Sequence, residues 1–418
     1  MHDPHLRGSV SAPERPPLTG IRIIDLTTFL SGPSATQLLG DLGADVIKVE
    51  ALSGDSSRAI AGPELDGDSA YFLANNRNKR SIALDLKSPR GREVLERLIA
   101  GADIVIDNFR PGVTARLGLA PERLLEEHPA LIWTSISGFG QEGPWRDRPA
   151  YDMVVQALSG VMSLNGHVGS PAARLGIPAG DVVAGLYAVI GILSALHARS
   201  ETGRGRIVDV SMLRGQLAML SYQALYTNLN GVAPGPQGAA HDSIATYRSF
   251  RGLDGREFVV TANTPRMWED LCRVLGVEEL IVDERFVDAA RRLANKDALS
   301  EILESRVMKR PAAEWVELLT AASVPVAPVK NVLEALGDAR AADDGSLLTV
   351  SNESAEFENV ATPIRFVDTT EVEPVYPPAL GQDSVRILTA ELGYTDDEVT
   401  ALVTAGIVGA QTVASLAG

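Results

Sequence analysis

The residue whose type and surroundings most invite chemistry is Asp181, the carboxylate of PAGDVVAG, which stands immediately ahead of a long apolar segment. An aspartate at the start of a helical pattern serves most often as an N-cap, its oxygens accepting backbone N–H groups that the first turn leaves free. The same amides and the helix dipole favour the ionised carboxylate, the form a nucleophile needs at neutral pH. Capping and attack are compatible readings of one residue.

Other common chemistries lack their residues. No G-x-x-x-x-G-K-[ST] loop is present, no G-x-G-x-x-G follows the first predicted strand, and there is no G-x-S-x-G elbow. The six histidines, at 2, 5, 128, 167, 197 and 241, form no pair at helical ligand spacing, which argues against a zinc hydrolase and leaves no metal site. A single cysteine, Cys272, excludes an intramolecular disulfide and suits a reducing, cytoplasmic location. What remains are carboxylates, amides at helix starts and a few basic groups.

The elements that must position them follow an alternating scheme. Short β-branched runs at about 21–27, 44–50, 81–86, 103–109, 131–137 and 206–212 read as strands. Helical segments lie between them; one opens at Gly32 and Pro33, another after Ser88 and Pro89, and a third runs from 181 to about 200. This is the pattern of an α/β fold with a doubly wound parallel sheet, in which ligands bind beyond the carboxyl ends of the strands. The segments TTFLSGPS, DNFRPG and SGFGQEGP occupy those positions.

A Gly- and Pro-rich break at 230–242 marks a boundary. Beyond it, a hairpin turning at Asp254 and Gly255 and several amphipathic helices predict a smaller α+β domain. The predicted organisation is a mobile tail at 1–18, a large domain from 19 to 229, a small domain from 230 to 330, and a segment from 331 to 418 that returns to the large domain. The first residues contain no apolar run, so neither a secretory signal nor an anchor is expected there. The apolar stretch at 182–198 is interrupted by Ser194 and His197 and predicts a buried core helix, not a membrane span. With 45% hydrophobic and 22% charged residues the chain reads as globular, and a net charge of −16 opposes attraction to nucleic acid or anionic lipid. Neither partner is expected.

Nine strings occur in one order from about residue 20 to 330: LTTFLSGP, GADVIKVE, NRNKRSIALDL, ADIVIDNFRPG, SISGFGQEGP, YDMVVQALSG, PAGDVVAG, TGRGRIVDVSM and VPVAPV. Together they resemble the class III CoA-transferases, the CaiB/BaiF group that includes formyl-CoA and carnitine CoA-transferases, with α-methylacyl-CoA racemase as a divergent branch. The resemblance implies a homodimer of interlocked rings with a large Rossmann-like domain. It also implies an acyl-CoA donor and a carboxylic-acid acceptor, coenzyme A as substrate, and no tightly bound cofactor. Asp181 matches the aspartate that forms the covalent intermediates.

The resemblance also distributes roles. Gly180, Gly138 and Gly140 become candidates to supply amides to a developing oxyanion. Arg116 and Leu84 are expected near the nucleotide, with Phe29, Ser31, Asn108 and Phe109 lining the channel, while Lys79, Arg80 and Arg110 add positive charge. Ser137 and Phe139 stand where formyl-CoA transferases carry a lysine and a tyrosine, and Ala51 where they carry an arginine, so phosphate and acyl contacts are expected to differ. The racemase branch places a histidine and an aspartate before ALSG; this chain has Tyr151 and Asp152. Loss of the imidazole, the side chain that titrates near neutrality, favours CoA transfer over racemisation.

Overall fold

The computed structural model describes residues 14–410, which divide into two compact units. The first comprises the chain up to Val161, Leu175–Leu225, and the residues from Asp343 onward; the second comprises Met162–Arg174 and Tyr226–Ala342. The chain therefore enters the second unit at Tyr226, not 230, and leaves it after the helix Val332–Ala342, not at 330. The excursion 162–174 was not foreseen, because it is joined to the second unit by long-range contacts such as the Gly238 N–H donating to the Gly166 carbonyl at 2.8 Å. Of the tail expected at 1–18, residues 1–13 lie outside the described residues. Of the remainder, Glu14 bridges to Thr369 and Leu18 is buried, while Arg15 and Pro17 are exposed.

The first unit is organised by a seven-stranded sheet: β1 (Arg22–Asp25), β2 (Asp45–Glu50), β3 (Lys79–Leu84), β4 (Ile104–Asp107), β5 (Ile132–Ser137), β6 (Ile207–Ser211) and β7 (Val408–Gly409). Their spatial order is β7-β3-β2-β1-β4-β5-β6, and every pairing is parallel except that of β7 with β3. Successive strand residues serve opposite faces. Ile23, Val46 and Ile104 pack into one core with helix residues Leu39, Ala188 and Ile192, while Ile24, Ile47 and Val105 pack into another with Leu95, Leu98 and Leu388. Burial on both faces explains why these strands read as nearly continuous apolar runs. The order reverses direction between β1 and β4, which opens a crevice at the carboxyl ends of those two strands.

The helix Ala179–Thr202 meets its buried-core expectation on one side only. Ala184, Gly185, Ala188, Val189 and Ile192 are buried, whereas Leu186, Tyr187 and Ile190 face outward. Among the described residues it is the one helix long and apolar enough, by length and composition, to cross a membrane. In the second unit the predicted hairpin forms from Tyr247–Arg251 and Glu257–Thr261, turning through Gly255 at φ +75°, and a third strand, Val326–Pro328, pairs antiparallel with it. Helices Pro265–Leu275, Lys296–Val307 and Ala312–Ala321 cover it around a core containing Trp268, Phe258 and Leu303.

Candidate active site

Two loops form the crevice, residues 26–30 after β1 and 108–112 after β4. Asn108 joins them: its Nδ2 donates to the Thr28 carbonyl at 2.7 Å and its Oδ1 accepts the Thr28 N–H at 3.0 Å. The same Nδ2 lies 3.4 Å from Ser31 Oγ. Ser31 opens the helix Ser31–Asp41, and its hydroxyl donates to the carboxylate of Asp181. The two helices meet closely because residue 185 is glycine; a Cβ there would stand 2.7 Å from the Ser31 carbonyl oxygen.

Asp181 is in the first turn of its helix, but it is not the cap. Pro178 occupies the N-cap position and makes no side-chain bond. The Gly180 N–H instead donates to Asp152 Oδ1 at 2.7 Å, and Asp152 Oδ2 accepts from Gln156 Nε2 at 2.6 Å. This corrects the expectation that the helix start favours an ionised Asp181. Burial and the neighbouring Asp152 carboxylate outweigh the Ser31 hydrogen bond and push Asp181 up to about 7. Tyr71 shares this environment: burial, then Asp181, Asp55 and Asp152, push its phenol up to about 12, so it stays protonated.

Around this carboxyl group the predicted residues are distributed unequally. Phe29 sits at φ +62° and packs edge-on against exposed Tyr151, ring centroids 6.3 Å apart. Phe109 is half-buried, with its N–H donating to Asp107 Oδ1 at 3.1 Å. Asp107 also accepts from Trp133 and Ser135, and burial holds its carboxyl at about 6. Arg116 and Arg110 are exposed beside the crevice, and among the described residues neither forms an ion pair.

Other expectations are corrected. Lys79 is fully enclosed, its ammonium donating to Asp25, to the Pro33 carbonyl and to Asn76, so it offers no free charge to a phosphate. Arg80 pairs with Asp45 and Glu391, which leaves its charge equally committed. The Leu84 side chain is wholly inside the core, opposite Val408 of β7. Two of the glycine amides are occupied: Gly180 by Asp152, and Gly140 by Ser137 Oγ, which accepts its N–H at 3.0 Å. Gly138 accepts the Leu213 N–H on its carbonyl and has no room for a side chain, since a Cβ would lie 2.2 Å from that of Ala150. Phe139 is buried edge-on against Trp145.

Comparison with known proteins bears on the class of chemistry. The family model described as CoA-transferase family III matches residues 18–384. The chain belongs to that family. It is 41% identical over 329 residues, 78% of its own length and 84% of the relative's, to an acetyl-CoA:oxalate CoA-transferase of Acetobacter aceti. It is 34% identical to the succinyl-CoA:glutarate CoA-transferase of Homo sapiens, covering 94% of this chain and 90% of that one. A crystal structure of a CaiB/BaiF family protein from Brucella suis superposes with a TM-score of 0.81 at 35% identity, covering 90% of this chain and all of the other.

This family III CoA-transferase is thus an acyl-CoA:carboxylate CoA-transferase whose substrates are CoA thioesters. Three residues near its crevice escaped the sequence reading. Tyr71 lies in a one-turn helix, Ala70–Leu73, with no motif chemistry around it. Lys48 and Asp55 form an ion pair at 2.9 Å with neither side chain exposed. Lys48 lies in an apolar strand string, which was the one available signal: a charge in a run buried on both faces must find a partner.

Proposed function

We propose that this enzyme transfers coenzyme A between carboxylic acids through covalent intermediates on Asp181. The observation that carries the reading is the position of Asp181: a largely buried carboxyl group in the first turn of a helix, hydrogen-bonded by Ser31 at the crevice where the sheet order reverses. The ionised carboxylate attacks the donor thioester carbonyl and expels CoA thiolate, leaving a mixed anhydride. The thiolate then attacks the aspartyl carbonyl, releasing the donor acid and leaving an aspartyl-CoA thioester. The acceptor carboxylate attacks that thioester, freeing the thiolate and forming a second anhydride. Thiolate attack on the acceptor's carbonyl yields the new acyl-CoA and restores Asp181.

Each addition develops charge on a carbonyl oxygen, so a donor must stand ready. The Gly138 amide and the protonated Tyr71 phenol are the candidates in this reading. Arg116 and Arg110, whose charges are uncommitted, are suited to the phosphates of CoA, with Phe29, Ser31, Asn108 and Phe109 along the channel. Relatives named for oxalate and glutarate support a small dicarboxylate among the substrates. The outward Leu186, Tyr187 and Ile190, continued by Met153, Val154 and Leu158 on the adjoining helix Asp152–Ser159, form an apolar band. A second copy of the chain in a homodimer would cover it.

Asp181→Ala is expected to abolish acyl exchange while CoA still binds. Hydroxylamine added during turnover, followed by peptide mass analysis, should label Asp181. A label on any other residue, or exchange that persists in Asp181→Ala, overturns the assignment.

A further inference from the structure

The loop that carries Phe29 and Ser31 is held from beneath by charges that take no part in the reaction. Lys48 reaches from β2 and donates to the Thr27 carbonyl at 2.8 Å, while its ion-pair partner Asp55 accepts the Phe29 N–H on Oδ1 at 3.2 Å. Asp55 is itself fixed. Its N–H donates to Glu50 Oε2 at 3.0 Å, and its Oδ1 also accepts the Ser57 N–H at 2.9 Å. Glu50 is in turn gripped by Arg58, at 2.8 Å through each carboxylate oxygen. The second of the two bonded points, Phe29, has a φ of +62°, which is unfavourable for an aromatic residue and persists only where surroundings over-determine it.

We propose that the buried ion pair of Lys48 with Asp55 is a positioning latch for the acyl-transfer site. It clamps Thr27 and Phe29 at once, forcing the left-handed turn that sends the chain into the helix Ser31–Asp41 with the Ser31 hydroxyl directed at Asp181. Neither side chain has any exposed surface, so they act through the loop and not on substrate. The inference rests on Asp181 as nucleophile.

The test uses Asp55→Ala, Asp55→Asn and the double variant K48M/D55N. The double variant removes both charges and so leaves no unpaired buried ion to unfold the protein. Asp55→Ala loses the acceptor for Phe29 as well as the charge, whereas Asp55→Asn keeps an acceptor. In the full-length enzyme the expected order of kcat is wild type, then Asp55→Asn, then Asp55→Ala. The last should fall by about tenfold to a hundredfold, with the KM for the acyl-CoA donor within about threefold. Because the Ser31 hydrogen bond draws the Asp181 carboxyl downward, its loss should also move the midpoint of the kcat/KM pH profile upward in Asp55→Ala. A double variant that folds cooperatively and keeps wild-type kcat and pH midpoint overturns the latch. So does a fall in kcat with no movement of the midpoint, which is the signature of general loosening. Hydroxylamine labelling of wild-type enzyme separates the two readings: a label elsewhere than Asp181 removes the nucleophile itself, whereas a label on Asp181 with undisturbed variants removes the latch alone.

Discussion

Asp152 Oδ1 accepts the Gly180 N–H at 2.7 Å, so the start of the Ala179–Thr202 helix is capped by a residue from another helix and the carboxylate of Asp181 is left uncoordinated by its own backbone. The same contact sets a second negative charge beside the first. Asp152 thereby fixes the position of Asp181 and opposes its ionisation. Asp152→Asn keeps an acceptor and removes the charge; the midpoint of kcat/KM against pH should move below about 7. Asp152→Ala also loses the cap, and thermal unfolding should show a loss of about 1 kcal/mol.

The titration of Asp181 should be visible in the unmodified enzyme. With its carboxyl at about 7, kcat/KM should fall as the pH drops below that value, because the protonated form cannot attack. Stability runs the other way. Between the ordinary value of 3.8 and about 7 the folded state holds a proton that the unfolded state has released, so stability declines as pH rises through this window and levels above it. Asp181→Asn has no such penalty. Its melting temperature should exceed that of wild type by a margin that grows from about pH 4 to about pH 7 and is level above that.

Gly185 keeps two helices close enough for Ser31 to reach Asp181. An alanine Cβ would lie 2.7 Å from the Ser31 carbonyl oxygen and 2.9 Å from Ser34 Oγ, and the first of these is backbone that cannot swing aside. Although alanine is the better helix former, Gly185→Ala should destabilise by about 1–3 kcal/mol through overpacking and lower kcat as well. Chemical denaturation and steady-state kinetics on the same preparation would check both.

Lys79 and Arg116 should separate cleanly as structural and ligand-facing cations. Lys79→Met leaves Asp25 buried beside fewer cations, and denaturation should show a loss of about 3–5 kcal/mol. Arg116→Ala should leave stability unchanged and raise the KM for the CoA donor about fivefold, corresponding to roughly 1 kcal/mol for an exposed charge pair. A Lys79→Met enzyme that is stable but weak in CoA binding would reverse this assignment.

Much of the frame was readable before any tertiary information. All six parallel strands fall within or next to the predicted runs, because strands buried on both faces must be β-branched and apolar along their length. The family was readable as well, since nine strings in register leave little room for coincidence. The helix starts at Ser31 and Pro89 agree with their glycine and proline signals.

Charge was where the sequence misled. Lys79 and Arg80 read as cations close to a nucleotide, yet one is sealed beside Asp25 and the other is paired with Asp45 and Glu391, partners that lie far away along the chain. Asp181 read as its own helix's cap, yet that function belongs to Asp152. Local sequence determined which residues could form strands, helices and turns, because those preferences act over a few positions. Which carboxylate caps, which lysine is buried, and the resulting shift of Asp181 towards neutrality were decided only by tertiary structure. Burial and charge proximity depend on distances in space between groups that no spacing along the chain specifies.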